Sequence, residues 1–396
     1  MRIPKKSLLL AAAIGLALVG SRFAGMDFSH IASTARAQAI PKSLEPSGNE
    51  NAVRQRKNNA VVGVAGGLLS GTYMKFADEL AQVLDDGDKL RVLPIVTYGA
   101  ASNLEDLLYL RGVDVAITQS DVFEYFRAQR KIANLEKRVN YIIRLPVSEM
   151  HVLARDEIKN IEDLRGKKVN FGPAGSASSL TGTIVFQRLG VQVEQVLLDN
   201  PTAMQKLNSG EISALVRVIG KPIDVFEKIP VNSGLHLISI PFSKTFADYY
   251  TVGELTRQDY PTLVTDTDHL DTIAVPAVLA VYNWPKGSNR YERVHNFVEA
   301  LFANWEKFRQ PPRHPKWRDV NLTATVPGWT RWSGASELLE QLAPVASAGI
   351  NAPDPASSGD FASFLRAHGA NLSARQREAL FRQYVEWQRQ QQGRSR

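Results

Sequence analysis

The chain contains no cysteine among its 396 residues. This absence excludes a thiolate nucleophile, a disulfide framework and a lipid-modified cysteine behind an export signal. Long apolar runs are missing after the first residues of the chain, so the mature protein is expected to be soluble. A chain of this length buries enough surface to fold without disulfides.

Known catalytic and metal-binding patterns are also missing from the sequence. The seven histidines are scattered, and no two of them have a metal-ligand spacing. There is no G-x-S-x-G nucleophile elbow, no lysine-bearing phosphate loop and no dinucleotide-binding fingerprint. The acidic cluster at residues 266–271 lacks the glycine and distal glutamate of a calcium loop, which favours a solvated turn. We therefore expect no enzymatic activity, no cofactor and no metal.

The N-terminus has the features of an export signal. Basic residues precede an apolar stretch at residues 8–20, which is too short to span a bilayer as a helix. Ala35-Arg36-Ala37 is an A-x-A cleavage pattern, and it predicts a signal peptide over residues 1–37 and a periplasmic mature protein. An uncleaved N-terminal anchor is the alternative, because the spacer between the apolar stretch and Ala37 is long.

Positive charge is concentrated at the two ends of the chain. Residues 1–37 carry five basic residues and one acid, so their removal lowers the formal net charge from +7 to +3. Residues 371–396 carry six arginines and two glutamates, which leaves residues 38–370 close to neutral. A nucleic-acid-binding surface on the globular part is therefore not expected. We expect a monomer.

Strand and helix patterns alternate from residue 60 to about residue 343, as in α/β proteins. Two similar α/β lobes, joined by two extended crossovers and enclosing a hinged cleft, are predicted. The predicted segments are a disordered lead-in at 38–57, lobe I over 58–149 and 281–343, lobe II over 150–280, a linker at 344–372 and a C-terminal helix at 373–391. The predicted strands include residues 90–96, 113–118, 168–171, 193–198, 212–219 and 272–282.

Three loops share one design, in which an apolar strand runs into a small polar turn and a helix begins directly afterwards. They lie at residues 61–73, 94–103 and 169–176. Each turn is expected to direct backbone N–H groups and the positive end of a helix dipole at one place, which suits an anionic or polar ligand. Open α/β sheets bind small molecules at such loops. A cleft that holds a ligand without transforming it is therefore predicted.

Candidate ligand-binding residues lie in these loops and at neighbouring strand ends. They are Ser70, Tyr73, Asn103, Gln119, Ser120, Ser176, Arg217 and Lys221. Helix capping is the alternative role for Ser70, core packing for Tyr73, a turn for Gln119 and Ser120, and solvation for the two cations. A capping-box pattern at residues 102–105 predicts the start of a helix. The cations, and loops with no acid except Asp121, favour a small carboxylate ligand.

These loops closely resemble those of the TAXI family, the extracytoplasmic solute receptors of one branch of TRAP transporters. In the first half of the chain, Gly66 to Tyr73 matches Gly-Gly-x-x-Gly-Gly-Thr-Tyr, Thr97 to Leu104 matches Thr-Gly-Gly-Ser-x-x-Asn-Leu, and Gln119 to Asp121 matches Gln-Ser-Asp. Further along, Leu164 to Asn170 matches Leu-x-Gly-Lys-x-Val-Asn, Gly172 to Ser176 matches the second-domain glycine loop, and Gly220 to Pro222 matches Gly-x-Pro. They occur in this order over residues 60–330, and together they are specific.

The resemblance implies a type II periplasmic-binding-protein fold. It also implies an amino acid such as glutamate, or another small organic acid, held between two lobes and delivered to a TRAP membrane permease. Tyr98 replaces a loop glycine, Ala100 replaces a serine, and Arg217 stands where an aromatic residue is frequent, so the selectivity is expected to differ. The alternatives are a ligand-sensing or scaffold protein of the envelope, and an enzyme on the same fold, against which the missing catalytic groups count.

Overall fold

The computed structural model describes residues 47–342. The signal peptide, the linker and the C-terminal helix predicted above lie outside the described residues. The chain divides into two units, residues 1–55 and residues 56–396. Of the helices between residues 47 and 342, none is long and apolar enough to cross a membrane.

A helix covers much of the segment that was predicted to be a disordered lead-in. The helix is α1 (Gly48–Asn59). Its residues 48–55 belong to the first unit. A reciprocal cap explains its start: Ser47 N–H donates to Glu50 Oε2 at 2.5 Å, and Glu50 N–H donates to Ser47 Oγ at 3.3 Å. Because this cap involves only residues 47–50, the sequence pattern Ser47-Gly48-Asn49-Glu50 is enough to predict where the helix begins.

The elements of the second unit alternate as the sequence predicts. In chain order they are β1 (Val61–Gly67), α2 (Thr72–Leu84), β2 (Arg91–Val96), α3 (Ala100–Tyr109), β3 (Val115–Gln119), α4 (Ser120–Ala128), α5 (Leu135–Arg138), β4 (Val139–Arg155), β5 (Lys168–Asn170), α6 (Ala177–Leu189), β6 (Glu194–Val196), α7 (Asn200–Ser209), β7 (Ala214–Ile219), α8 (Asp224–Glu227), β8 (Leu235–Leu237), β9 (Thr251–Thr256), β10 (His269–Tyr282), α9 (Asn289–Ala303), α10 (Trp305–Phe308) and α11 (Ser333–Leu342). Short 3₁₀ helices at Ile161–Leu164, Lys244–Phe246 and Pro315–Asp319 connect some of them.

The strands of the described residues form one sheet in the order β2-β1-β3-β10-β4-β7-β5-β6, with β8 beside β4 and β9 beside β10. At one end, β2, β1 and β3 are parallel, and at the other end β7, β5 and β6 are parallel. The two long strands between them, β4 and β10, run antiparallel to each other and to their other neighbours. Parallel strands place their loops at one edge, so each end of the sheet has its own set of strand-to-helix loops.

The long strands β4 and β10 connect two α/β lobes. The first half of β4 pairs with β10, and its second half, from Glu149, pairs with β7. Strand β10 pairs with β9 up to Ala274 and with β3 from Ala277. Each long strand thus belongs to lobe I at one end and to lobe II at the other. This arrangement confirms the predicted α/β class with two lobes and two extended crossovers, as in a type II periplasmic-binding-protein fold.

Both lobes place a helix directly after a buried strand because the sequence switches there from a buried run to helical spacing. Helix α2 buries Tyr73, Phe76, Leu80 and Leu84 on one face against the sheet. Helix α6 begins at a Ser176 cap, whose Oγ accepts from Ser179 N–H at 3.1 Å. The N-termini of these helices are thereby held at the edge of the sheet that faces the other lobe.

Candidate ligand-binding site

The three loops identified in the sequence meet at one cavity between the lobes. Its volume is about 50 Å³. It is lined by Gly67, Leu68, Gly71, Thr72, Tyr73, Tyr98, Gly99, Ala100, Pro173, Ser176, Ala177, Ser178, Asn200, Arg217, Val218 and Ile219. The first residues of α2, α3 and α6 are all in this lining. The positive ends of three helix dipoles therefore point to the same small volume.

Arg217 is the charged residue in this lining. It lies on β7, is 7% exposed, and its guanidinium has no carboxylate or carbonyl partner among residues 47–342. Burial lowers the pKa of the Arg217 guanidinium to about 10, so the group keeps its charge at neutral pH. A buried and unpaired cation is costly, because desolvation is not offset by an opposite charge. An anion in the cavity would provide that charge.

Two more of the predicted residues line the same cavity. Tyr73 Oη is 2.9 Å from Ser148 Oγ, and burial raises the pKa of the Tyr73 phenol, so the hydroxyl stays protonated. Ser176 lines the cavity and also caps α6 through its Oγ. The structure thus brings Tyr73, Ser176 and Arg217 together.

Ser70 and Asn103 lie outside the lining. Ser70 is exposed in the turn before α2, and the N-cap of that helix is Gly71 without a side-chain bond. Asn103 is fully buried, and its Nδ2 donates to the carbonyl oxygens of Ala65, Gly66 and Ile117 at 2.7–3.3 Å. Asn103 therefore joins the ends of β1 and β3, which holds two of the loops in place.

Lys221, the second predicted cation, is already paired. Its Nζ lies 2.8 Å from Asp259 Oδ2, and its backbone N–H donates to Glu149 Oε2 at 3.0 Å. Lys221 is not in the lining of the cavity. Arg217 is therefore the better candidate for an anion contact.

The lobes touch directly beside the cavity. The backbone N–H groups of Ala101 and Ser102, in lobe I, both donate to the Gly175 carbonyl of lobe II at 3.1 Å. Gly99 has a φ of 121°, and a Cβ there would lie 3.3 Å from Ser176 Cα. Only glycine permits this backbone at so close a distance. Two backbone N–H groups in the first turn of α3 are therefore hydrogen-bonded to lobe II, and the cleft is closed on this side.

A second contact between the lobes surrounds Asp121. Its Oδ2 accepts from Thr181 Oγ1 at 2.7 Å and from Tyr250 Oη at 3.1 Å. Burial raises the pKa of the Asp121 carboxyl group, and these two hydrogen bonds oppose that rise. Gln119 Oε1 lies 3.3 Å from Thr181 Oγ1, and Ser120 Oγ is buried without a partner among residues 47–342.

The predicted Gln119 and Ser120 thus lie at the seam between the lobes and not in the lining of the small cavity. On the same seam, Asp121, Arg188 and Tyr250 border an open groove of about 930 Å³.

Within the described residues no group of acids and histidines could hold a metal ion.

Replacing Thr181 by valine is expected to lower the free energy of unfolding by about 1–2 kcal/mol, because the buried Asp121 loses one of its two side-chain donors. Thr183→Val, on the same helix, is the matched control, since Thr183 Oγ1 donates to the Ser179 carbonyl at 2.6 Å and accepts from Gln195 Nε2 at 2.8 Å, both within lobe II. Urea denaturation of both variants measures the difference. An equal loss in the two variants would show that the contact with Asp121 does not stabilise the closed lobes.

Four polar residues of the lining, Thr72, Tyr98, Ser178 and Asn200, are not among the site residues predicted from the sequence. Thr72 and Ser178 occupy the first turns of α2 and α6, and Asn200 is the first residue of α7. Ser178 Oγ accepts from Val218 N–H at 2.9 Å, which joins α6 to the strand that carries Arg217. Their proximity to helix starts is visible in the sequence, but their orientation toward one cavity depends on how the lobes meet.

The sequence profile of the NMT1-like family matches residues 64–328, which is more than half of the chain. The chain therefore belongs to the NMT1-like family.

Solved structures of low sequence identity are similar to this chain. One is the amino acid ABC transporter substrate-binding protein AbpA from Streptococcus pneumoniae bound to L-arginine, with 13% identity, a TM-score of 0.38, and coverage of 67% of this chain and 98% of that chain. Another is the arginine-bound form of truncated ArgBP from T. maritima, with 14% identity, a TM-score of 0.38, and coverage of 63% and 99%. A third is the periplasmic binding protein BugD, with 14% identity, a TM-score of 0.42, and coverage of 71% and 94%. At these values the similarities do not indicate the ligand of this chain.

Proposed function

We propose that the protein is a periplasmic solute-binding receptor that captures a small organic anion between its lobes and does not transform it. The observation that carries the proposal is Arg217, a buried guanidinium without a partner among residues 47–342, on the wall of a cavity where three helices begin. An anion there would pair with the cation and accept hydrogen bonds from first-turn N–H groups. Its binding energy would favour the closed arrangement of the lobes.

We further propose that the receptor serves a TRAP transporter of the TAXI type. Three of the six segments that resemble TAXI motifs, Gly66 to Tyr73, Thr97 to Leu104 and Gly172 to Ser176, contribute residues to the lining of the cavity. The permease subunit would be the second partner, after the ligand.

The test of capture is a panel of mono- and dicarboxylates, with neutral sugars and polyamines for comparison. We expect a carboxylate to raise the melting temperature, and Arg217→Ala to weaken its binding by about 1.5–3 kcal/mol, the range for a hydrogen bond to a charged group. Ligand at 100 times its dissociation constant adds about 2.7 kcal/mol of apparent stability. Arg188→Ala is the control, because Arg188 borders the open groove instead of the cavity. A response to sugars or polyamines alone would contradict the proposal.

Transport is tested in the protein's own host. Uptake of the radiolabelled carboxylate identified above should be lost when the receptor gene is deleted and restored by the wild-type gene but not by Arg217→Ala. Binding in vitro together with unchanged uptake would contradict the receptor role and favour a ligand-sensing or scaffold protein of the envelope.

A further inference from the structure

The wall of the small cavity carries one positive charge and no negative charge. Of the residues 47–342 that line the cavity, Arg217 is the single charged one. The two nearby lysines are neutralised, since Lys221 pairs with Asp259 at 2.8 Å and Lys316 pairs with Glu149 at 2.7 Å. A ligand with one negative charge therefore balances the site, whereas the second carboxylate of a dicarboxylate would lack a cation.

An amino group on the ligand would also lack a partner. No carboxylate lines the cavity within the described residues, and the acids next to it are held by lysines. Burying an ammonium group without an opposite charge is costly, because its hydration is lost and not replaced. The charge distribution thus disfavours a zwitterionic amino acid.

The volume limits the ligand to a few atoms. A cavity of about 50 Å³ compares with roughly 10–15 Å³ on the same measure for one water molecule, so it has space for about three to five water-sized groups. The lobes cannot separate to make room without breaking the two hydrogen bonds from Ala101 and Ser102 to the Gly175 carbonyl.

The remaining lining combines apolar and hydroxyl groups. Leu68, Pro173, Val218 and Ile219 are apolar, and Thr72, Tyr73 and Ser178 carry hydroxyls. The short carbon chain of a carboxylate next to Arg217 would contact apolar residues of this lining.

From these observations we infer that the ligand is a monocarboxylate of about two to four carbon atoms without an amino group, a size set by the cavity volume. This inference rests on the proposed capture of an anion by Arg217 and makes its charge and size specific.

Isothermal titration calorimetry with matched ligands at pH 7 tests the inference. The short acids are acetate, propionate, pyruvate and butyrate. L-alanine adds an ammonium group to propionate, succinate adds a second carboxylate to it, hexanoate lengthens it, and propionamide removes its charge. We expect the best short acid to bind at least tenfold more tightly than each of these four comparison ligands, and at least tenfold more weakly to Arg217→Met.

A second variant changes the wall charge without changing its shape. Asn200 lines the cavity as the first residue of α7, where an acid is compatible with the helix dipole. Asn200→Asp should lower the preference for propionate over L-alanine at least tenfold, because the new carboxylate can pair with the ammonium group. An unchanged preference in a folded variant would overturn the inferred reason for excluding amino acids.

The outcomes separate this inference from the proposed function. Arg217-dependent binding of succinate, L-alanine or hexanoate at least as tight as that of the short acids overturns the inference but leaves anion capture in place. Binding of propionamide as tight as that of propionate, or no binding by any carboxylate, overturns both. Binding of short acids that is unaffected by Arg217→Met also overturns the inference, because the ligand would then lie elsewhere.

Discussion

Replacing Lys316 by methionine is expected to lower the free energy of unfolding by about 3–5 kcal/mol, the cost of breaking a buried ion pair from one side. Lys316 Nζ lies 2.7 and 2.8 Å from the two carboxylate oxygens of Glu149 and donates to the Val147 carbonyl at 2.9 Å. Lys316 is 9% exposed and Glu149 is 5% exposed. Without Lys316, Glu149 would stay buried as a charge with one remaining donor, the Lys221 N–H.

Two controls separate this effect from the loss of any lysine. Lys286 contacts Glu337 at 3.0 Å, but their side chains are 70% and 44% exposed, so Lys286→Met should lower the stability much less than Lys316→Met does. The double variant Lys316→Met with Glu149→Gln should lose less stability than Lys316→Met alone, because the uncompensated charge is gone. Urea denaturation measures all of these variants. Equal losses for Lys316→Met and Lys286→Met would contradict the prediction.

Acid is expected to destabilise the protein through His151. Its Nδ1–H donates to the Glu149 carbonyl at 3.0 Å, and its Nε2 accepts from Tyr260 Oη at 2.8 Å, so both ring nitrogens are used by the neutral form. Burial lowers the pKa of His151 to about 3. The unfolded chain, with an ordinary pKa near 6.5, therefore binds the proton first. The stability contribution of this group is complete above the unfolded pKa and is lost as the pH falls from there toward 3.

The expected slope is about 1.4 kcal/mol of unfolding free energy per pH unit in the interval between the two pKa values of His151. Burial also lowers the pKa of His314 to about 4, which adds a contribution of the same sign. Urea denaturation between pH 7 and pH 4 should show a smaller slope for His151→Gln than for the wild type. His269→Gln, at an exposed position, is the control for replacing a histidine. An identical slope in His151→Gln would show that His151 is protonated in the folded protein.

Much of the fold could be predicted from the sequence because its signals are local. The predicted strand at residues 90–96 is β2, the strand at 212–219 contains β7, and the strand at 272–282 lies within β10. The capping-box pattern at residues 102–105 predicts a later start of α3 than the structure has. The helix begins at Ala100, because the Ser102 N–H that a local cap would have used donates to Gly175 of the other lobe.

The individual site residues could be predicted less well than the loops that carry them. Tyr73, Ser176 and Arg217 line the cavity, whereas Ser70 points to solvent and Asn103 holds two strand ends together. A sequence shows that a polar residue follows a strand. It does not show whether the side chain turns to the cleft, to the core or to water.

The sequence by itself determined the α/β class, the two lobes, the three strand-to-helix loops and the presence of cations near the end of β7. Only the tertiary structure decided which of these cations is left without a partner. Lys221 is neutralised by Asp259, and Glu149 by Lys316, while Arg217 has no partner among residues 47–342. The physical reason is that ion pairing depends on distances in space, and the sheet order places residues side by side that are far apart along the chain.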